Sequence, residues 1–441
     1  MSESRLKSFN YAVGFFGMSI PINLLKTFAA AYYVIGLGLT TSQLATILFV
    51  YAFIDAADNL VYGFLSDRTR TRWGRRRPWM AAATPLLAAS LVLFYSVPAG
   101  LAGRSLFVWA MIFYILTGTL DSVNLANYGA LFPELFRTNE SRAATNALRQ
   151  AFQLVAMVIS IALTPMVTKA IGYRFTAIAY GALGAIVILY MVATSREVGF
   201  QPEERAPLLW DSVKSLLTNR KFWVTGFTNA FYSAAMSLVM ASMTFYTTYT
   251  LKLGSMQTSL LFGVVLLVGM GCVFAWAALV KRFGLMPVWR IALAVLMVAF
   301  VPLYFADSFM TAIVAAVFVG FGFAGVIATM DLVGARVMDE DRETHDVRRE
   351  GIISNALGFM NRLNGLFTAL AFKLVTVLFA FESGENPGPS PGEASRFLLT
   401  VFPAAMMVLS LAVSFLVSFP ENGGTAVVSG PSSRPSRRRG G

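Results

Sequence analysis

Apolar stretches of about twenty residues recur along the whole of this chain, each long enough to cross the hydrocarbon core of a bilayer as a helix. Backbone groups in lipid must find hydrogen-bond partners internally, so such a chain is confined to helices packed side by side. Twelve spans are read at about 9–35, 43–65, 79–98, 105–132, 143–168, 174–194, 221–250, 256–280, 286–306, 309–334, 350–380 and 395–419. A chain that is 56% hydrophobic and 13% charged excludes a water-soluble globule. The first apolar stretch has no small-residue cleavage site after it, so it is expected to stay in the protein as a span.

A polar stretch with mixed charge and two prolines follows the sixth span and divides the chain into six spans plus six. The predicted organisation is a six-helix bundle over 1–194, a cytoplasmic linker over 195–220, a second six-helix bundle over 221–419 and a disordered basic tail over 420–441. The internal repeat is weak: GFLSDRTRTRWGRRRPW joins spans two and three, whereas the matching place between spans eight and nine reads ALVKRFGLMPVW. Net charge is +12, and where the cations fall decides what that means. With the N-terminus inside, 26 of the 35 Lys and Arg fall on the inner segments and only five on the outer ones. That is the positive-inside bias of a plasma-membrane protein with both termini cytoplasmic, its basic loops facing anionic lipids, and it argues against a nucleic-acid partner.

Charges inside the spans are costly and therefore informative. Asp55, Asp58 and Asn59 share one face of span two at helical spacing, with Asp121 and Ser122 at comparable depth in span four. Oxygen ligands of this kind suit a hard cation such as Na⁺. Neighbouring carboxylates in low dielectric equally suit a proton, and pairing with a buried basic residue is the structural alternative. Lys26 and Arg362 lie too deep to reach the headgroups, whereas Lys373 and in part Arg149 could snorkel there. These cations either neutralise the aspartates or face an anionic solute. Asn23, Asn124, Asn127, Tyr128, Gln153, Asn229, Tyr232, Asn355, Asn361 and Asn364 add polar groups that line a wet cavity or tie helices together. Asp331, near the end of span ten, lines the same cavity or sits at the interface. One cysteine, Cys272, permits no internal disulfide. One histidine, His345, gives neither a zinc site nor a histidine-based triad, so no enzyme and no cofactor are expected.

Three blocks carry a family resemblance: DAADNLVYGFLSDRTRTRWGRRRPW at 55–79, NYGALFPELFRTNESRAATNALRQ at 127–150 and MDEDRETHDVRREGIISNALGFMNRLNG at 338–365. Together they resemble the glycoside–pentoside–hexuronide:cation symporters of the major facilitator superfamily, the melibiose permease-like family, over nearly the whole chain. The resemblance implies an all-α membrane fold of two pseudo-symmetric six-helix bundles working by alternating access. It places Asp55, Asp58, Asn59 and Ser122 on the family's cation positions, with Asn and Asp exchanged at 58 and 59. Arg149 and Arg362 fall on its basic positions, and Gly63, Asp67 and Arg68 on its gating loop. The acidic residues that hold sugar hydroxyls in the melibiose permease align with Ser19 and Leu125, and a tyrosine position becomes Lys26.

A cavity that loses two acids and gains a base favours an anion over a neutral galactoside. The expected function is Na⁺- or H⁺-coupled symport of a small polar solute, a sugar derivative or organic anion such as a hexuronide, by a monomer. The expected substrate site comprises Ser19, Asn23, Lys26, Asn124, Tyr128, Arg149, Gln153, Tyr232 and Arg362. A carrier of lysolipid-like anionic amphiphiles and a non-transporting receptor or assembly factor are the rival readings.

Overall fold

The computed structural model describes residues 3–136, 138–195, 219–345 and 357–418. Twelve helical rods make up these residues: α1 (Glu3–Ala30), α2 (Thr41–Arg68), α3 (Arg77–Phe94), α4 (Gly103–Leu135), α5 (Asn139–Met157), α6 (Thr164–Thr194), α7 (Arg220–Phe245), α8 (Ser255–Phe283), α9 (Leu285–Tyr304), α10 (Phe309–His345), α11 (Leu357–Phe379, interrupted at Leu363) and α12 (Pro391–Ser414). Most of the expected linker, all of the tail, Asn355 and the RREG segment lie outside the described residues.

Among the described residues, nine rods are long and apolar enough to cross a membrane. The other three, α2, α5 and α7, are diluted by Asp55 and Asp58, by Arg149 and Gln153, and by Asn229 and Tyr232. These helices turn polar groups inward, so their composition falls short of lipid-facing character.

The expected break between spans five and six, near 169–173, falls at Gly172, whose φ of 77° and ψ of 163° leave the helical region and suit a residue without a side chain. Before it, the fifth span passes through a π turn over Val158–Ala162, and a helical segment restarts at Thr164 with Pro165 in its first turn.

The repeat that is faint in sequence is plain in the backbone. Both α1 and α7 end in a π turn, Ala31–Gly36 and Tyr246–Thr250. A buried tyrosine in each turn then bonds the end of the third rod of its own half: Tyr33 to the Phe94 carbonyl at 2.7 Å, Tyr246 to the Leu303 carbonyl at 2.8 Å. The next rod begins alike in both halves, with a glutamine side chain accepting the hydrogen bond of the N-cap amide. Gln43 does so for Thr40 at 3.0 Å and Gln257 for Gly254 at 3.1 Å.

Small residues set the helix spacing where rods come closest. A Cβ at Gly118 on α4 would lie inside the Tyr51 ring of α2, and one at Gly17 would meet the Gly184 carbonyl of α6 at 3.0 Å. The halves close on each other at the face opposite the termini. There Thr41 donates its amide to the Glu382 carbonyl (2.7 Å) and its hydroxyl to the Phe381 carbonyl (2.8 Å), while the Gly384 amide bonds the Val34 carbonyl (2.7 Å).

Candidate functional site

Asp55 sits fourteen residues into α2, about 21 Å along a helix rising 1.5 Å per residue, and so near the middle of the bundle. Its Oδ1 accepts a hydrogen bond from the Ser122 hydroxyl of α4 at 3.1 Å and pairs with the Arg362 guanidinium of α11. Arg362 also donates to the Asp55 backbone carbonyl at 2.9 Å and reaches the Ser122 hydroxyl at 3.4 Å. The two side chains are only 15% and 10% exposed, so this is a desolvated ion pair joining the first half to the second.

The expected cation positions therefore converge, yet a basic side chain stands among them. Asp58 is buried beside Thr119, and its Oδ2 has no hydrogen-bond partner among the described residues. Asp121, also buried, lies within electrostatic reach of Lys26, Asp55 and Arg362. Four oxygen-bearing side chains, Asp55, Asp58, Asp121 and Ser122, are thus gathered at one level. The side chain of Asn59 lies outside the described residues, as do those of Gly63 and Asp67. Arg68 is exposed at the last turn of α2.

Against this cluster lies a cavity of about 80 Å³ shared by α1, α2, α4, α7 and α11. Lys26, Asp55 and Arg362 line it, together with Ser237, Asn364 and Thr368. Lys26 is exposed to this space and, among the described residues, has no ion-pair partner within 4 Å. Lys373, read as able to snorkel, instead bonds the Ser42 hydroxyl at 3.2 Å near the closed face.

Arg149 forms a second basic position. Its guanidinium lies 5.0 Å from the centroid of Phe15 and 5.8 Å from that of Phe132, which holds it inward rather than toward the headgroups. Asp331 of α10 and Tyr232 of α7 lie in the same region, Asp331 within electrostatic reach of both. Gln153 stands one turn beyond Arg149 on the same face of α5.

Other expected site residues are used in packing. Asn23 donates to the Ser160 hydroxyl at 2.9 Å, tying α1 to the π turn after α5. Ser19 bonds the Phe15 carbonyl of its own helix. Tyr128 is fully buried, stacked on Tyr11 at 4.3 Å and bonded to its carbonyl. Asn124 is buried, its carbonyl accepting from the Thr84 hydroxyl and its amide nitrogen without a partner among the described residues. None of these four lines the cavity. Sequence reasoning missed Tyr51, Tyr114, Ser237 and Thr368, which do. Tyr51 was findable, since it stands four residues before Asp55 on one helical face.

Comparison with known proteins matches the family described as MFS/sugar transport protein over residues 10–421. The isoprimeverose transporter of Lactiplantibacillus pentosus is 25% identical over 288 residues, which is 63% of this chain and 59% of that protein. The matched part thus spans less than two thirds of that relative's length. A putative 2,3-dihydroxypropane-1-sulfonate exporter of Escherichia coli K12 is 23% identical over 91% of this chain and 90% of its own. In architecture, the chain superposes with a TM-score of 0.72 on a bacterial homologue of the human lysosomal transporter Spinster, solved inward-facing and unoccupied. That likeness covers 94% of this chain and 97% of the other at 13% identity.

Proposed function

Because the chain belongs to the MFS/sugar transport protein family, we propose that it is a secondary active transporter coupling entry of Na⁺ or H⁺ to movement of a small polar organic anion by alternating access. The observation that carries this is the meeting of Lys26, Asp55 and Arg362 on the wall of one cavity shared by both halves, with Ser122 bonded to Asp55 and Asp121 within electrostatic reach of all three. Charged groups at this depth are costly unless they serve a path for ions or solutes. In the proposed orientation both termini face the cytoplasm, and the face closed by Thr41 and Gly384 is the outer one of a plasma membrane.

The coupling ion takes Asp55 in competition with Arg362. When it binds, the carboxylate is neutralised by a diffusible charge and the guanidinium is released toward the cavity, where an anion can receive it. Each ligand then improves the site of the other by the same factor, as linkage requires. Aligned relatives named for a sugar and for a polyol sulfonate agree with a hydroxylated solute, and Lys26 favours the charged kind.

Purified protein in liposomes, with an imposed Na⁺ or proton gradient and a panel of hexuronates, sugar acids and neutral sugars, tests this. Accumulation that collapses with the gradient is expected. Asp55→Asn should abolish accumulation while leaving solute exchange down a gradient. Binding without flux in every condition would instead make the protein a receptor.

A further inference from the structure

Direct bonds between the halves close the outer face, whereas nearer the termini two opposite charges face each other across the halves without touching. Arg149 lies ten residues into α5 and Tyr232 twelve into α7, both helices starting on the side of the termini. Asp331 lies fourteen residues before the end of α10 on that same side. At a rise of 1.5 Å per residue, the three sit about 15–21 Å from those helix ends, one level below the Asp55 cluster.

Asp331 is exposed. A carboxylate at this depth is too costly to turn toward lipid, and both Arg149 of the first half and Tyr232 of the second lie within its electrostatic reach, so it faces water between the halves. Among the described residues it has no ion-pair partner within 4 Å. Arg149 is held ready for one. Its guanidinium packs against Phe15 and Phe132 at 5.0 and 5.8 Å, and its Nε has no hydrogen-bond partner among the described residues. A planar guanidinium fixed in this way can offer a carboxylate two parallel N–H groups. The ion pairs Arg75–Glu134 and Lys221–Glu340, by contrast, each lie within one half.

Alternating access, the reading on which this inference rests, requires a second state of comparable free energy in which the outer bonds of Thr41 and Gly384 are broken. New contacts on the inner side have to offset them. We infer that Arg149 and Asp331 form the ion pair that closes the inner side: as the halves rock, α5 and α10 approach, the carboxylate docks on the stacked guanidinium, and the passage below the Asp55 cluster shuts. The two barriers are then chemically unlike. Neutral hydroxyl and backbone bonds hold the outer one, and a charge pair holds the inner one, so loss of either charge leaves the outer-closed state favoured.

Thiol labelling in the absence of any solute tests this. In the full-length protein carrying Cys272→Ser and Ser237→Cys, reconstituted in liposomes of known orientation, a membrane-impermeant maleimide applied to either face reads how often the cavity opens that way. With both charges present, labelling from both faces is expected. Asp331→Asn and Arg149→Gln should each lower the outer-to-inner ratio of rates about tenfold, the factor that a charge-assisted hydrogen bond carries, and the double variant should fall no further than either single. Arg149→Lys keeps the charge and should keep part of the ratio. Asp331 is exposed, so Asp331→Asn leaves packing intact, and melting temperatures show that each variant is folded. General loosening would speed labelling from both faces and leave the ratio unchanged. Unchanged ratios in both single variants, or single effects that multiply in the double, overturn the gate pair and leave alternation standing. Labelling from one face alone in the protein with both charges overturns alternation and the inference with it.

Discussion

The Asp55–Arg362 pair sets the first quantitative expectation. Both side chains are at least 85% withdrawn from solvent, so removing one partner strands the other's charge in low dielectric. Breaking a buried pair in this way costs about 3–5 kcal/mol, whereas replacing both partners by neutral groups of similar volume is often close to neutral. Asp55→Asn keeps an acceptor for the Ser122 hydroxyl and loses only the charge; Arg362→Met keeps most of the volume and loses the guanidinium. Each alone should destabilise the protein by about 3 kcal/mol or more, and the double variant should lie nearer the unaltered protein than either single. The assay is unfolding in mixed micelles of rising denaturing-detergent content, repeated with and without Na⁺. Any gain in stability that Na⁺ confers on the unaltered protein should disappear whenever Asp55 is replaced. Single effects that simply add, to within about 0.5 kcal/mol, would refute the pairing as the energetic link between the halves.

Three further outcomes follow from particular contacts. Gly384→Ala places a methyl group against the Ile35 backbone and should loosen the closed face. In a Cys272→Ser, Ser237→Cys protein, a membrane-impermeant thiol reagent applied from that face should label several-fold faster, and an unchanged rate would show that this contact does not seal the cavity. Gly118→Ala drives a methyl into the Tyr51 ring and should cost about 1–3 kcal/mol, read as a fall in melting temperature; no fall would mean that α2 and α4 separate freely. Arg149→Lys keeps the charge but gives up planar stacking on Phe15 and Phe132, so it should lower stability by about 0.5–2 kcal/mol without solute, and equal stability would discount the stacking.

Much of the candidate site was legible because charge is scarce in these helices. Asp55, Asp58, Asp121, Lys26 and Arg362 stand out of their apolar surroundings in the bare sequence, and all five gather in one region of the fold. Uncharged polar residues were less readable, since an Asn or Tyr inside a span serves packing as readily as binding. Asn23 and Tyr128 proved to be tied to Ser160 and Tyr11, while Ser237 and Thr368, unremarkable in sequence, line the cavity. The pseudo-repeat was hidden because what the halves share is a backbone device, a π turn followed by a glutamine-capped helix, that different residues can build.

By itself, the sequence determined that the chain must be a bundle of membrane-crossing helices and which charged residues lie within them, because the cost of burying polar groups in lipid acts on each span independently of the rest. It took the tertiary arrangement to settle that Arg362 spends its charge on Asp55 and Lys26 does not, which residues line the shared cavity, and which face is closed. Those facts depend on contacts between residues as far apart as 55 and 362, brought together by packing between the halves, which no local pattern of hydrophobicity encodes.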